Sequence, residues 1–322
     1  MTVYTPGDLD LLFEGKTFDS IFQIFKRIWD PESKNLHKYY RDGEIESNKF
    51  EETFYKLYPK LYDELLEHCQ EENTAEITRK KDRYCLVILD SLSLREAILL
   101  ERDLKDNFDI EFSYSFSTLP SETDPFKERV FNRINIAQWE NPDFKYIHDL
   151  ENMTVLPESN NLTVWTQVPD NKLHGSRSGH SEPWTIEEIY ADTRQLLREI
   201  LATCRHNEVI VTSDHGYVDL TAGCTFAISD KMRDLLRNQF KERFREKENN
   251  YELDQLHEEK VIRYAGNYYV VQGRYSWFTG RGHVNTRKHG GLSLLECMVP
   301  VLRINKRSMK IKNSKNELIK EN

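Results

Sequence analysis

The hydrophobic positions of this 322-residue chain recur first at helical spacing and then in alternating strand-like and helix-like runs. An apolar stretch over residues 18–25 indicates a first helix. Further on, apolar residues recur three or four positions apart at Phe50, Phe54, Leu57, Leu61 and Leu65. This spacing predicts the apolar face of a single helix. We therefore predict a helical N-terminal region over residues 1–80.

From Tyr84 onward the pattern changes to short apolar runs separated by longer amphipathic segments. The run 84–90 is continuous and ends on Asp90, which is typical of a parallel strand buried on both faces. Alternating strands and helices predict an α/β domain over residues 81–304, whose mostly parallel sheet is covered by helices on both faces. The other predicted elements are strands at 110–117, 161–167, 208–214 and 297–304 and helices at 94–104 and 185–205.

Three segments do not follow this alternation. Residues 261–273 indicate a hairpin with its turn at Gly266 and Asn267. The run 231–260 is densely charged and has apolar residues at helical spacing, so we interpret it as a solvated surface helix. Residues 305–322 form a basic tail that we expect to fray.

Charge and cysteine usage narrow the class of protein. Lys and Arg number 45 against 54 Asp and Glu, and the formal net charge of −9 excludes a chain-wide basic surface for nucleic acid. The sequence has no apolar run of about 18 residues and no leader-like start, so we expect no membrane contact and a cytoplasmic location. The five cysteines include no C-x-x-C pair, and we expect reduced thiols.

Acidic and histidine side chains stand beside the ends of the predicted strands. In parallel α/β sheets, ligands bind beyond the carboxyl ends of the strands, so these side chains should share one edge. Carboxylates and neutral imidazoles are ligands for Zn²⁺, Mn²⁺ or Fe, and the sequence therefore predicts a metal site. The candidate ligands are Asp90, Asp170, His174, Asp214, His215 and His289.

Five motifs carry a resemblance to a known family. They are VILDSLSLREA (87–97), TLPSETDPF (118–126), PDNKLH (169–174), VIVTSDHGY (209–217) and HGGLSLLECMVPVL (289–302). On these residues the chain resembles the alkaline phosphatase superfamily and, within it, the PglZ domain. That superfamily includes nucleotide pyrophosphatase/phosphodiesterases and cofactor-independent phosphoglycerate mutases. The motifs span residues 84–304, and residues 1–80 resemble no family.

The resemblance implies an alkaline-phosphatase-like fold and a two-metal phosphoester site. Zn²⁺ is the expected ion and Mn²⁺ the alternative. The nucleophile is expected to be Thr123, within the run PSETDP (120–125), because metal coordination lowers the pKa of a hydroxyl. The residues expected to hold the first metal and the nucleophile are Asp90, Thr123, Asp214 and His215. Those expected to hold the second metal are Asp170, His174 and His289.

Several positions have alternatives. Ser121, in the same run as Thr123, and Ser91, beside Asp90, are rival nucleophiles. Ser91 stands where many relatives have glycine, which departs from the family pattern in the turn after the first strand. His180 is an alternate ligand to His174, although the D-x-x-x-H spacing from Asp170 favours His174.

A basic loop near His289 is the candidate site for a substrate phosphate or a nucleic-acid backbone. Its candidate residues are Arg281, His283, Arg287 and Lys288. The remaining histidines have no partner in the sequence, and we assign them to the surface or the core: His37, His68, His148, His206 and His257.

The function implied is a metal-dependent phosphodiesterase or phosphohydrolase acting on nucleotides, linear or cyclic oligonucleotides or DNA, in bacterial or archaeal anti-phage defence or signalling. The net charge of −9 favours a small substrate over long duplex DNA. Only 46 residues separate Thr123 from Asp170, too few for the inserted domain of a mutase. The alternative is a metal-binding scaffold with weak turnover in a multiprotein defence complex, with residues 1–80 as its docking surface.

Overall fold

The computed structural model describes residues 14–30, 35–71, 73–79, 84–175, 184–277 and 286–306, together with Gly7. Within these residues, none of the helices has both the length and the apolar composition needed to cross a bilayer.

The centre of the molecule is a six-stranded sheet with the order β2-β11-β5-β1-β4-β3. Strand β11 runs antiparallel to both of its neighbours, and the other pairs in this sheet are parallel. The predicted mostly parallel α/β fold is therefore confirmed. The strands are β1 (Cys85–Leu89), β2 (Asp109–Phe116), β3 (Phe144–Ile147), β4 (Thr163–Thr166), β5 (Glu208–Thr212) and β11 (Met298–Asn305). A separate two-stranded sheet pairs β6 (Val218–Asp219) with β10 (Arg287–Lys288).

Helices surround the sheet and bury both of its faces. Alternate residues of β1 belong to two different apolar clusters, with Val87 and Leu89 in one and Leu86 and Ile88 in the other. The helices are α1 (Thr17–Ile28), α2 (Leu36–Leu57), α3 (Leu61–Glu71), α4 (Ala75–Arg79), α5 (Leu94–Leu104), α6 (Thr123–Phe131), α7 (Asp170–Leu173), α8 (Ile186–Thr203), α9 (Asp230–Gln239), α10 (Tyr251–Glu258) and α11 (Leu294–Cys297).

The apolar stripe predicted as one N-terminal helix extends over two helices, so that prediction was wrong. Helix α2 ends at Leu57, and α3 begins at Leu61. Pro59 lies in the break; it has no N–H to donate, and it disfavours helical geometry in Tyr58 before it. As a result Leu57 is 80% exposed, whereas Leu61 and Leu65 are fully buried.

The charged run 231–260 is also more structured than a surface helix, which corrects the prediction. It contains α9, α10 and strand β7 (Phe244–Glu246). Strand β7 pairs with β9 (Tyr268–Val271), which forms the predicted hairpin with β8 (Ile262–Ala265). The apolar sides of the two helices are buried in a cluster of their own that includes Leu236 and Leu253. The charges therefore occupy the solvent side of a small three-stranded unit.

The N-terminal helices pack against the edge strand of the large sheet. The ring of Phe18 meets Phe116 at 5.1 Å, and Phe22 meets Phe112 at 5.1 Å. Both partners lie on β2, the edge strand. Residues of α1 to α3 and of the sheet belong to one apolar cluster, so the helical region and the sheet share a core.

Candidate functional site

Two aspartates meet at the carboxyl ends of the central strands. Ile88 of β1 pairs with Thr212 of β5, and Asp90 and Asp214 each lie two residues further along. Register alone therefore places these carboxylates side by side. Both are buried, as is His215, which follows Asp214. Burying two like charges this close is costly unless cations or hydrogen-bond donors accompany them.

Thr123 lies against this pair of aspartates. Its Oγ1 donates a hydrogen bond to Asp90 Oδ1 at 3.0 Å and lies 3.0 Å from His215 Nε2. His215 Nε2 is also 3.5 Å from Asp214 Oδ2 and 3.8 Å from Asp90 Oδ1. Thr123 is the first residue of α6, where the free N–H groups of a helix attract anions. A hydroxyl, two carboxylates and an imidazole thus converge beside a helix N-terminus.

Ser91 turns the chain between β1 and α5 in the left-handed conformation, with φ of 65°. Glycine adopts this conformation at the least cost, which explains why a glycine fits the family pattern here. The turn aims the Ser91 backbone N–H at Asp214 Oδ1, 3.2 Å away, and its hydroxyl donates to Asp170 Oδ1 at 2.6 Å. Serine in place of glycine thus keeps the turn and adds the hydrogen bond to Asp170.

A second group of ligand-type side chains surrounds Asp170. This residue begins α7, directly after the β4 strand and its turn. His174 Nε2 lies 3.5 Å from Asp170 Oδ1, and His289 Nε2 lies 3.7 Å from the same oxygen. The ring of His289 stacks on that of His215 at 4.4 Å between centroids. The two groups are therefore adjacent and form one site.

Glu122 contacts His289 from the other side, and the sequence patterns did not single it out. Glu122 Oε2 is 2.9 Å from His289 Nδ1. Burial by itself would raise the pKa of Glu122, but the contact with His289 outweighs it and lowers that pKa to about 2. Burial likewise would lower the pKa of His289, but Glu122 and then Asp170 raise it to about 9. The pair fixes the orientation of the His289 ring.

The donor set fits divalent metal ions. Burial, then the charges of Asp214 and Asp170, raise the pKa of Asp90 well above its usual range. Among the residues that the structure describes, Asp214 Oδ2 is buried and has no hydrogen-bond partner. Ligand atoms of Asp90, Asp214 and His215 lie within 4.8 Å of one another, as do those of Asp170, His174 and His289. Crowded carboxylates with an unsatisfied buried oxygen are the chemistry that cations stabilise.

Part of the chain matches a known protein family. Residues 170–304 match the family model described as "BREX system PglZ alkaline phosphatase-like domain". The predicted PglZ resemblance is confirmed. A solved phosphonoacetate hydrolase from Sinorhizobium meliloti 1021, in complex with phosphonoformate, is similar with a TM-score of 0.37 and 13% identity, over 69% of this chain and 90% of that one. A search of curated proteins found no match.

The PglZ segment contains only part of the site. Asp170, His174, Asp214, His215 and His289 lie inside residues 170–304. Asp90 and Thr123 lie before the matched segment, and the hydrogen bonds described above join them to it. The parallel strands β1 and β5 bring the two parts of the chain together.

The remaining sequence candidates differ in their surroundings. Ser121 is fully buried, and its hydroxyl donates to Gly291 O at 2.7 Å, so it holds two loops together. Arg287 Nε lies 4.0 Å from Asp219 Oδ2, and Lys288 Nζ lies 3.4 Å from Glu242 Oε2. Three candidates lie outside the described residues: His180, Arg281 and His283.

Proposed function

We propose that the protein is a metal-dependent phosphoester hydrolase that prefers diesters, with Thr123 as its nucleophile. One observation carries the proposal: Thr123 Oγ1 lies 3.0 Å from both Asp90 Oδ1 and His215 Nε2. These contacts place a hydroxyl, at the start of α6, beside a carboxylate that can accept its proton and an imidazole that can hold a metal ion. The PglZ match, described as alkaline phosphatase-like, supports the same reaction class.

Two divalent ions fit the two groups of ligands, with Zn²⁺ favoured by the three imidazoles and Mn²⁺ as the alternative. When bound, such ions supply Lewis-acid stabilisation of phosphoryl oxygens and neutralise the carboxylates. Asp90, Asp214 and His215 would hold one ion, and Asp170, His174 and His289 the other. Glu122 would orient His289 through their ion pair.

The chain's own groups account for the path of the Thr123 proton. Asp90 Oδ1 accepts the Thr123 hydrogen bond and takes the proton as Thr123 attacks. His215 Nε2 is equally close but would hold the ion, because Nδ1 lies 3.0 Å from the carbonyl oxygen of Gly216 and carries the ring proton. Attack forms a bond between Thr123 Oγ1 and phosphorus and breaks the bond from phosphorus to the leaving oxygen, which departs with its electron pair. Water then attacks phosphorus and breaks its bond to Thr123 Oγ1, which takes back the proton from Asp90 as the phosphomonoester leaves. The start of α6 would favour the bound anion through its free N–H groups.

The substrate class that we propose is a nucleotide, a linear or cyclic oligonucleotide, or another small phosphodiester. The net charge of −9 argues against unassisted binding of long duplex DNA. Arg287 and Lys288 lie next to His289 in sequence and are our candidates for contacting the substrate. The BREX description of the matching family motivates our placing the protein in anti-phage defence, with residues 1–80 binding other proteins of such a system.

The experiment is hydrolysis of bis-p-nitrophenyl phosphate beside p-nitrophenyl phosphate, with EDTA, Zn²⁺, Mn²⁺ or Mg²⁺. We expect metal-dependent cleavage, faster for the diester. Thr123→Ala should lower kcat/KM by about 10³-fold or more, because it removes the attacking atom. Asp214→Ala should lower it similarly through lost metal binding.

Matched variants separate the nucleophile from its rivals. Thr123→Ser retains a hydroxyl and should retain measurable turnover, while Ser91→Gly, which suits the left-handed turn, should remain active. Full activity of the Thr123→Ala variant would mean that Ser91 or water is the nucleophile. Faster cleavage of the monoester would refute the diester preference. No turnover with any metal by a folded chain would favour the scaffold alternative.

A further inference from the structure

A further group of metal-type ligands lies at the opposite end of the central strands, beside their amino ends. Cys85 is the first residue of β1, Cys204 follows the end of α8, and His206 precedes β5. Cys85 pairs with Val209 in register, so the amino ends of β1 and β5 are neighbours. Asp90 lies five residues along the strand from Cys85, which is about 16 Å. This group is therefore separate from the phosphoester site.

The geometry of the three side chains suits a tetrahedral ion. One ligand atom of each lies within 4.8 Å of the others, and Cys204 Sγ is 3.5 Å from His206 Nδ1. A zinc ion bound to sulfur at about 2.3 Å and to nitrogen at about 2.05 Å separates those two atoms by about 3.5 Å. The distance between Cys204 Sγ and His206 Nδ1 therefore fits a bound zinc ion without movement of these two side chains.

The ring of His206 is already held in the orientation that a ligand needs. His206 Nε2 lies 3.1 Å from the carbonyl oxygen of Asn160, which can only accept, so Nε2 carries the proton. The neutral ring therefore directs its Nδ1 lone pair towards Cys204. A backbone carbonyl behind the second ring nitrogen is the usual arrangement around metal-binding histidines.

A positive charge lies close to Cys204 and favours its thiolate form. The ammonium group of Lys306 donates to the carbonyl oxygens of Leu201 and Cys204 and adds a nearby positive charge. Thiolate is the form of cysteine that binds metals.

We propose that Cys85, Cys204 and His206 form a third metal site that binds Zn²⁺. Thiolate and imidazole are soft ligands, which distinguishes this site from the carboxylate-rich one. His206 is half-buried, so water can reach the group and occupy the fourth position. The proposal is independent of the hydrolase activity.

The test is Co²⁺ titration of the reduced, tag-free full-length chain, followed by absorption spectroscopy. A thiolate-to-cobalt charge-transfer band reports this site alone, because the phosphoester site offers only oxygen and nitrogen ligands. We expect a band whose final intensity corresponds to one thiolate-bound ion per chain, whatever the number of ions in the phosphoester site, and which Zn²⁺ abolishes. Cys204→Ser should remove the band, and His206→Ala, which keeps both thiols, should weaken Co²⁺ binding at least about tenfold.

Cys69→Ser is the matched control. Cys69 is buried and contacts a second thiol, Cys297, but neither belongs to a described group of three metal-type ligands. We expect this variant to keep the band. The proposal is overturned by a folded, reduced chain that shows no band, by a band that survives in Cys204→Ser, or by a Cys85–Cys204 disulfide in the untreated chain, which would make the pair a redox couple.

Discussion

The ion pair of Glu122 with His289 gives the site a pH dependence of its own. The folded-state pKa of His289 is raised from 6.5 to about 9, so its stabilisation is complete below pH 6.5 and is lost as the pH rises through about 9. The pKa of Glu122 is lowered from 4.5 to about 2, so its contribution is present above pH 4.5 and is lost as the pH falls through about 2.

We predict that the Glu122→Gln substitution makes the free energy of unfolding less dependent on pH. In EDTA-treated wild type, the free energy of unfolding should fall by about 2–3 kcal/mol between pH 6.5 and 9. Because the variant lacks the carboxylate partner of His289, its fall should be clearly smaller. Urea denaturation at several pH values measures both. Parallel curves for the two proteins would contradict the ion-pair assignment.

The site residues differ in how far the sequence could predict them. Asp90 and Asp214 each follow an apolar strand, so strand pattern and the parallel-sheet rule placed them at one edge. Glu122 carries no such signal, because its partner His289 is distant in sequence and reaches it only through the folded loops. The role of His206 was missed for the same reason: Cys85 approaches it only when β1 and β5 pair.

Gly43 lies within helix α2, where the packing of Trp29 against its backbone outweighs the low helix propensity of glycine. A Cβ on Gly43 would lie 2.4 Å from ring atoms of Trp29, which is fully buried. Propensity alone would make Gly43→Ala stabilising by about 1 kcal/mol. We predict a net destabilisation of about 1–2 kcal/mol, because the overpacked ring cannot move away.

Chemical denaturation of Gly43→Ala measures this loss, and a second background serves as its control. In a Trp29→Leu chain the smaller side chain leaves room, so the same Gly43→Ala substitution should cost less or become stabilising. Equal effects in both backgrounds would mean that Trp29 is not the cause.

Elements with a strong local pattern were predictable, and elements that depend on distant partners were not. The continuous apolar run of β1 and the alternation of β2 identified both strands. Helix α5 has a capping box of Ser93 and Glu96 and occupies the predicted span. Strand β7, in contrast, consists of three residues within a charged run, and it forms only because β9 pairs with it.

At the scale of the whole molecule, a buried ionic network joins the N-terminal helices to the sheet domain. Glu44 of α2 contacts Arg95 of α5 at 2.9 Å and also pairs with Arg274, which follows β9. Arg274 contacts Glu51 at 3.0 Å, and Glu51 accepts the backbone N–H of Leu294 at 2.8 Å. The sequence could not reveal these pairs, since their members lie far apart in the chain.

We therefore propose that residues 14–79 and the sheet domain unfold as one unit. Arg274→Met should cost about 3–5 kcal/mol, because it leaves Glu51 buried without its cation. Lys49→Ala, which removes an exposed pair with Glu46 on the same helix, should cost less than about 1 kcal/mol. Urea unfolding followed by far-ultraviolet circular dichroism and by tryptophan fluorescence should give one coincident transition. Two separate transitions would contradict the single unit.

Attack by Thr123 on a phosphoester would leave a covalent product on the chain, and this product can be trapped. The metal-loaded chain is mixed with bis-p-nitrophenyl phosphate, quenched in acid during turnover, digested and analysed by mass spectrometry. We expect a nitrophenyl phosphoryl group on Thr123, formed as one nitrophenolate is released. An adduct on Ser91 or Ser121, or steady turnover with no adduct at any quench time, would contradict it.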